Sequence, residues 1–133
     1  PISGTTPVLL PGTAFSLGAE YADYEQFHDA GCSVAVATDF NPNCYSQSMP
    51  MAISLACSGM GMTPRDAIAA ATAGGADAVD RPSLGTLEAG TPADLLVVDG
   101  PSHVYVPYNF GVNTVETVVK QGAIVSDSRN ESA

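Results

Sequence analysis

Residues 33–43 constrain this chain most: Ser-Val-Ala-Val-Ala-Thr runs straight into Asp39, and Phe40-Asn41-Pro42-Asn43 comes at once behind it. Apolar or small side chains occupy both odd and even positions, so a strand here needs cover on both faces. Strands of that kind belong to parallel sheets flanked by helices, whose chemistry gathers at the carboxyl ends of the strands. Asp39 falls at such an end. A carboxylate beyond a buried strand is costly unless it is hydrogen-bonded, ion-paired or bound to a cation. No Lys or Arg lies near it in sequence. Asp39 as a cap of the following loop, a common task for Asp, stands beside the functional reading.

The flanking segments continue the α/β pattern. Pro7 to Pro11 reads as a short strand ended by Gly12. Residues 19–30 carry Tyr21, Tyr24, Phe27 and His28 at helical spacing, with Gly31 as the stop signal. Ser48 opens a helix to Ser58 with Pro50 in its first turn, and Gly59 and Gly61 close it. Thr63-Pro64-Arg65-Asp66 is an N-cap, a Pro at N1 and an acid at N3, starting a helix to about Ala76 that Gly74 and Gly75 weaken. Strand, helix, strand, helix, helix is the order of βα units around a parallel sheet. After Arg81-Pro82 the pattern turns to short strands: Leu95–Val98, then Val115–Val119 and Ala123–Val125 around Gln121-Gly122, a hairpin signal.

Charge narrows the partners. The formal net charge is −10, and the basic residues are Arg65, Arg81, Lys120 and Arg129. That supply cannot neutralise a phosphate backbone, so nucleic acid is excluded, and an anionic membrane is disfavoured. Charged residues make up 14% and hydrophobic residues 45%, a mix that also suits a piece whose surfaces expect neighbours. Cys32, Cys44 and Cys57 form no CxxC pair and read as reduced thiols of a cytoplasmic protein. Asn130-Glu131-Ser132 matches a glycosylation sequon in a polar tail and carries no weight.

The phrases LLPGTAF, VAVATDFNPN and GMTPRDAIAAATAGGADAV resemble the C-terminal part of the imidazolonepropionase family, within the metal-dependent amidohydrolase superfamily. LGTLEAGTPADLLVVD is similar to the superfamily's return strand. The resemblance spans roughly residues 7–125. It implies an α/β fold: residues 1–80 as the last two βα units of a (β/α)₈ TIM-type barrel and residues 81–125 as part of the attached β-sandwich; residues 126–133, being polar, read as a frayed tail. It further implies a hydrolase of a cyclic amide, taking 4-imidazolone-5-propanoate to N-formimidoyl-L-glutamate in histidine degradation, with one Zn²⁺ or Fe ion per complete active site.

On that resemblance Asp39 binds the metal and handles the proton of the attacking water. Asn41, Asn43 and Cys44 line the substrate pocket. The family has Gly and then Ser or Thr where this chain has Asn43 and Cys44, which leaves a deaminase or another cyclic amidohydrolase open. A non-catalytic α/β interaction module is the reading from a different class. The HxH pair of the family is absent, and His28 and His103 match none of its ligand positions. His28 reads as packing on a helix stripe, His103 as a loop residue, the methionines as core filler, and Gly74-Gly75 as no phosphate loop. The chain therefore reads as lacking the N-terminal barrel portion, inactive alone, and prone to homo-oligomerise through open strand edges.

Overall fold

The computed structural model describes residues 4–128. Two short strands, β1 (Val8–Leu9) and β2 (Ala35–Val36), pair in parallel with Val8 opposite Ala35 and Leu9 opposite Val36. Two helices connect them, α1 (Pro11–Leu17) and α2 (Tyr24–Asp29). The covered, apolar strand anticipated at Ser33–Thr38 is present and buried at Val34–Val36, but only Ala35 and Val36 form a ladder. β1 is too short to offer more, because the chain turns into α1 at Pro11.

Helix α1 was not legible as a helix. Gly12 reads as a strand stop, yet Pro11 takes the first helical position, where its missing N–H matters least, and both residues are buried. The aromatic stripe yields a shorter helix than its spacing suggests. Asp23 caps α2 by accepting from the Gln26 backbone N–H, so Tyr21 lies ahead of the helix.

Helix α3 (Met49–Met60) starts where expected, with the Ser48 hydroxyl accepting from the Met51 N–H, and stops at Gly61 in the left-handed conformation. Helix α4 (Pro64–Ala69) starts on the Thr63 cap. A π-helical turn, Ala70–Gly74, then leads into α5 (Gly75–Ala78). Thr72 Oγ1 bonds back to the carbonyls of Ile68 at 2.8 Å and Ala69 at 3.4 Å, which loosens the regular ladder there. The core lies between β1–β2 and these helices, around Leu9, Val34, Val36, Ile53, Ala56 and Met60.

The second half is a three-stranded antiparallel sheet in the order β3 (Leu95–Val98), β4 (Val115–Lys120), β5 (Ala123–Asp127). A four-residue helix, α6 (Tyr105–Tyr108), interrupts the connection between β3 and β4. The hairpin forms as anticipated. Gln121 and Gly122 both have positive φ, 51° and 80°, the requirement of a two-residue turn that matches strand twist. Residues 126 and 127, anticipated as frayed, belong to β5, and just beyond it the Ser128 N–H donates to the Glu116 carbonyl at 2.9 Å. The rest of that tail, including the sequon at Asn130, lies outside the described residues.

Candidate functional site

Parallel pairing puts the carboxyl ends of β1 and β2 side by side. The Ala37 N–H donates to the Leu9 carbonyl at 3.0 Å, so the segments after Leu9 and after Ala37 emerge at the same edge. After β1 come Pro11, Gly12 and Thr13, and after β2 come Thr38 and Asp39. Thr13 Oγ1 donates to Asp39 Oδ2 at 2.7 Å, in a half-buried bond.

Asp39 has φ 51°, in the left-handed region that Asp tolerates better than most side chains. This is how the strand ends: the chain reverses at Asp39, and its carboxylate turns toward the first turn of α1. Asn41 then builds the loop. Its Nδ2 donates to the Asp39 carbonyl at 2.6 Å, and its Oδ1 accepts from the Asn43 N–H at 2.8 Å. Backbone bonds between Asn41 and Cys44, at 3.1 and 3.0 Å, close the turn.

The expected pocket residues therefore occupy different places. Asp39 and Asn41 are half-buried at the strand end, and the Asn43 side chain is exposed beside them. Cys44 is buried. It is 2% exposed, its thiol lies 3.6 Å from the Thr38 carbonyl, and Gly12 sits against its sulfur. In this geometry the Cys44 thiol packs into the turn beside Thr38 and Gly12. The residue that sequence reading missed is Thr13. Its signal was present in LLPGTAF, but a Thr in the first turn of an unrecognised helix has no visible partner 26 residues away.

His28 bonds the Tyr24 hydroxyl through Nδ1 at 3.1 Å, and it lies by the amino end of β2, away from Asp39. There Tyr24, His28, Cys32, Ser33, Asp66 and Asp77 border a cavity of about 200 Å³. Burial, and then the nearby Asp66 carboxylate, push the Tyr24 hydroxyl and the Cys57 thiol up from their ordinary values, so both stay protonated at neutral pH. His103 lies in an exposed turn.

A family model for the amidohydrolase family matches residues 4–125. The chain belongs to the amidohydrolase family. The family member "Imidazolonepropionase" of Haloarcula marismortui is 55% identical over 131 residues, which is 98% of this chain and 31% of that protein. This chain thus spans about a third of the length of the curated relatives it matches. Among solved structures, Escherichia coli guanine deaminase superposes with a TM-score of 0.79 at 16% identity, covering 94% of this chain and 35% of that one. An adenosine deaminase from Xanthomonas campestris with bound zinc superposes with a TM-score of 0.74 at 23% identity, covering 93% and 32%. The fold is that of one part of an amidohydrolase.

The amidohydrolase relationship raises a divalent metal, and Asp39 suits one ligand of such a site. It is half-buried, one oxygen is bonded to Thr13, and no described residue bonds Oδ1. It does not suit more than one. Among the described residues no three His, Cys, Asp or Glu side chains come together to hold an ion. Zinc sites take three or more protein ligands, so a complete site of that kind would need donors beyond those the described residues bring together. Among the described residues no helix is long and apolar enough to cross a membrane.

Proposed function

We propose that this chain is the C-terminal portion of an imidazolonepropionase, with residues 1–80 completing the barrel and residues 81–125 completing the β-sandwich. One observation carries the reading: 55% identity to an imidazolonepropionase along 98% of the chain. The placement of Asp39 at a parallel strand end agrees with it. The substrate is 4-imidazolone-5-propanoate, and hydrolysis of its ring amide gives N-formimidoyl-L-glutamate, a step of histidine breakdown. When bound, a zinc or iron ion supplies a Lewis acid and brings the pKa of water to about 7. Asp39 takes the proton of the attacking water and delivers it to the departing ring nitrogen. Asn41, through its second amide hydrogen, and the exposed Asn43 contact the substrate, while Cys44 holds their turn.

Exposed apolar side chains support a missing neighbour. Phe15, Leu17, Phe40 and Tyr45 crowd the α1 and Asp39 end at 50–79% exposure, and Leu96, Ile124 and Val125 line the sheet at 58–64%. Isolated, the chain is inactive and self-associates through these surfaces; a sharp monomer in light scattering at high concentration counts against that.

The test is an assay of a complete polypeptide carrying this chain, with N-formimidoyl-L-glutamate read by mass spectrometry. Asp39→Asn lowers kcat by about 10²- to 10⁴-fold. Deamination of guanine or adenosine with no turnover of the imidazolone overturns the assignment in favour of a deaminase.

A further inference from the structure

We propose that Thr13 is a positioning residue for Asp39, fixing the carboxylate through Oδ2 so that Oδ1 alone points to the reaction centre. The inference rests on Asp39 being the metal-binding, proton-handling carboxylate of an imidazolonepropionase. Three features converge on Asp39. Its carboxylate accepts from Thr13 at 2.7 Å, its carbonyl accepts from Asn41 Nδ2 at 2.6 Å, and its backbone is held at φ 51°. A left-handed φ at a non-glycine residue persists only where the surroundings enforce it.

The backbone is thus fixed from the Asn41 side, and the remaining freedom is the carboxylate's own rotation. Thr13 removes it. Thr is β-branched and stiff at χ1, and here it stands in the first turn of α1 behind the buried Pro11 and Gly12. A Thr hydroxyl inside a helix commonly bonds the carbonyl one turn back. Thr13 instead reaches across to the neighbouring strand end, which sets the direction of a group 26 residues away. A partner of this kind, behind a ligating or proton-handling carboxylate, typically alters metal affinity or activity about 10–100-fold when removed.

The experiment uses a complete polypeptide carrying this chain, with Thr13→Val, which keeps shape and deletes the hydroxyl, and Thr13→Ser, which keeps the hydroxyl. Zinc alone is titrated against a chromophoric chelator, and kcat and KM are measured on 4-imidazolone-5-propanoate. Thr13→Val is expected to weaken zinc binding and lower kcat by about 10–100-fold each, with KM little changed, and Thr13→Ser to restore most of both. Thr13→Ala gives the same reading if the valine variant unfolds.

Zinc affinity and kcat unchanged in Thr13→Val overturn the inference. So does a serine variant as impaired as the valine one, or a wild type that takes up no zinc. A wild type inert on the imidazolone, with zinc binding still weakened by Thr13→Val and restored by Thr13→Ser, sinks the assigned reaction and upholds the role of Thr13.

Discussion

Gly74 packs directly beneath the backbone of Val34: a β-carbon on Gly74 would lie 2.1 Å from the Val34 carbonyl oxygen. Helix and strand approach each other there as closely as backbones can, and the approach seats β2, the strand that presents Asp39. The neighbouring Gly75 differs. A β-carbon there meets nothing nearer than the Ala70 carbonyl at 3.9 Å, and its backbone is helical. Gly74→Ala is expected to destabilise by about 3 kcal/mol, by overpacking against backbone that cannot yield. Gly75→Ala should be neutral or stabilising by up to about 1 kcal/mol, from helix propensity. Urea titration of the two variants side by side is the check, and equal effects would mean that the close approach at Gly74 imposes no special requirement.

Gly12 and Cys44 share one small space under the Asp39 turn. A β-carbon on Gly12 would stand 3.1 Å from the Cys44 sulfur. Gly12→Ala should therefore lose less stability in a Cys44→Ala background than in the wild type. The double-mutant cycle is expected to show coupling above about 0.5 kcal/mol. Strict additivity would mean that the two side chains accommodate independently.

Asp94 ties the start of β3 to the β4–β5 hairpin. Its carboxylate accepts from Lys120 Nζ and, at 2.7 Å, from the Gln121 N–H at the turn. The Lys120 bond first, and the Gln121 bond next, hold its carboxyl below the ordinary range. A lowered folded value means that the contribution is complete above the ordinary carboxylate range and disappears as pH falls through the lowered value. Asp94→Asn should melt below wild type at neutral pH, and the gap should close as pH falls below the ordinary carboxylate range. A gap that stays constant from neutral pH down to strongly acidic conditions would refute this linkage.

The net charge of −10 places the chain under self-repulsion at neutral pH. Salt screens it, because the Debye length falls from about 10 Å at 0.1 M to about 3 Å at 1 M. Thermal melts of the 133-residue chain are expected to rise by several degrees over that range. Chloride and acetate salts should act alike, since screening depends on ionic strength. A melting point that ignores salt would show that the acidic side chains are too dispersed to repel.

What the sequence determined by itself was local. Thr63-Pro64-Arg65-Asp66 and Ser48 announce helix starts because each cap is satisfied within three residues, as the bonds to the Asp66 and Met51 N–H groups show. Gln121-Gly122 announces the hairpin because its turn depends on backbone conformation at those residues alone. The two-faced run at Val34–Val36 announces burial, and the phrase around Asp39 announces the family. The tertiary structure decided the rest, because the deciding contacts join residues far apart in the chain. Only the parallel register of Leu9 with Val36 brings Thr13 to Asp39. Only the approach of the π-helical turn to β2 makes Gly74 a packing requirement, where its sequence context reads as a weak point in a helix. Cys44 is placed in the pocket only by resemblance, and the structure shows its thiol packed beside the Thr38 carbonyl and Gly12, a residue 32 positions earlier in the chain.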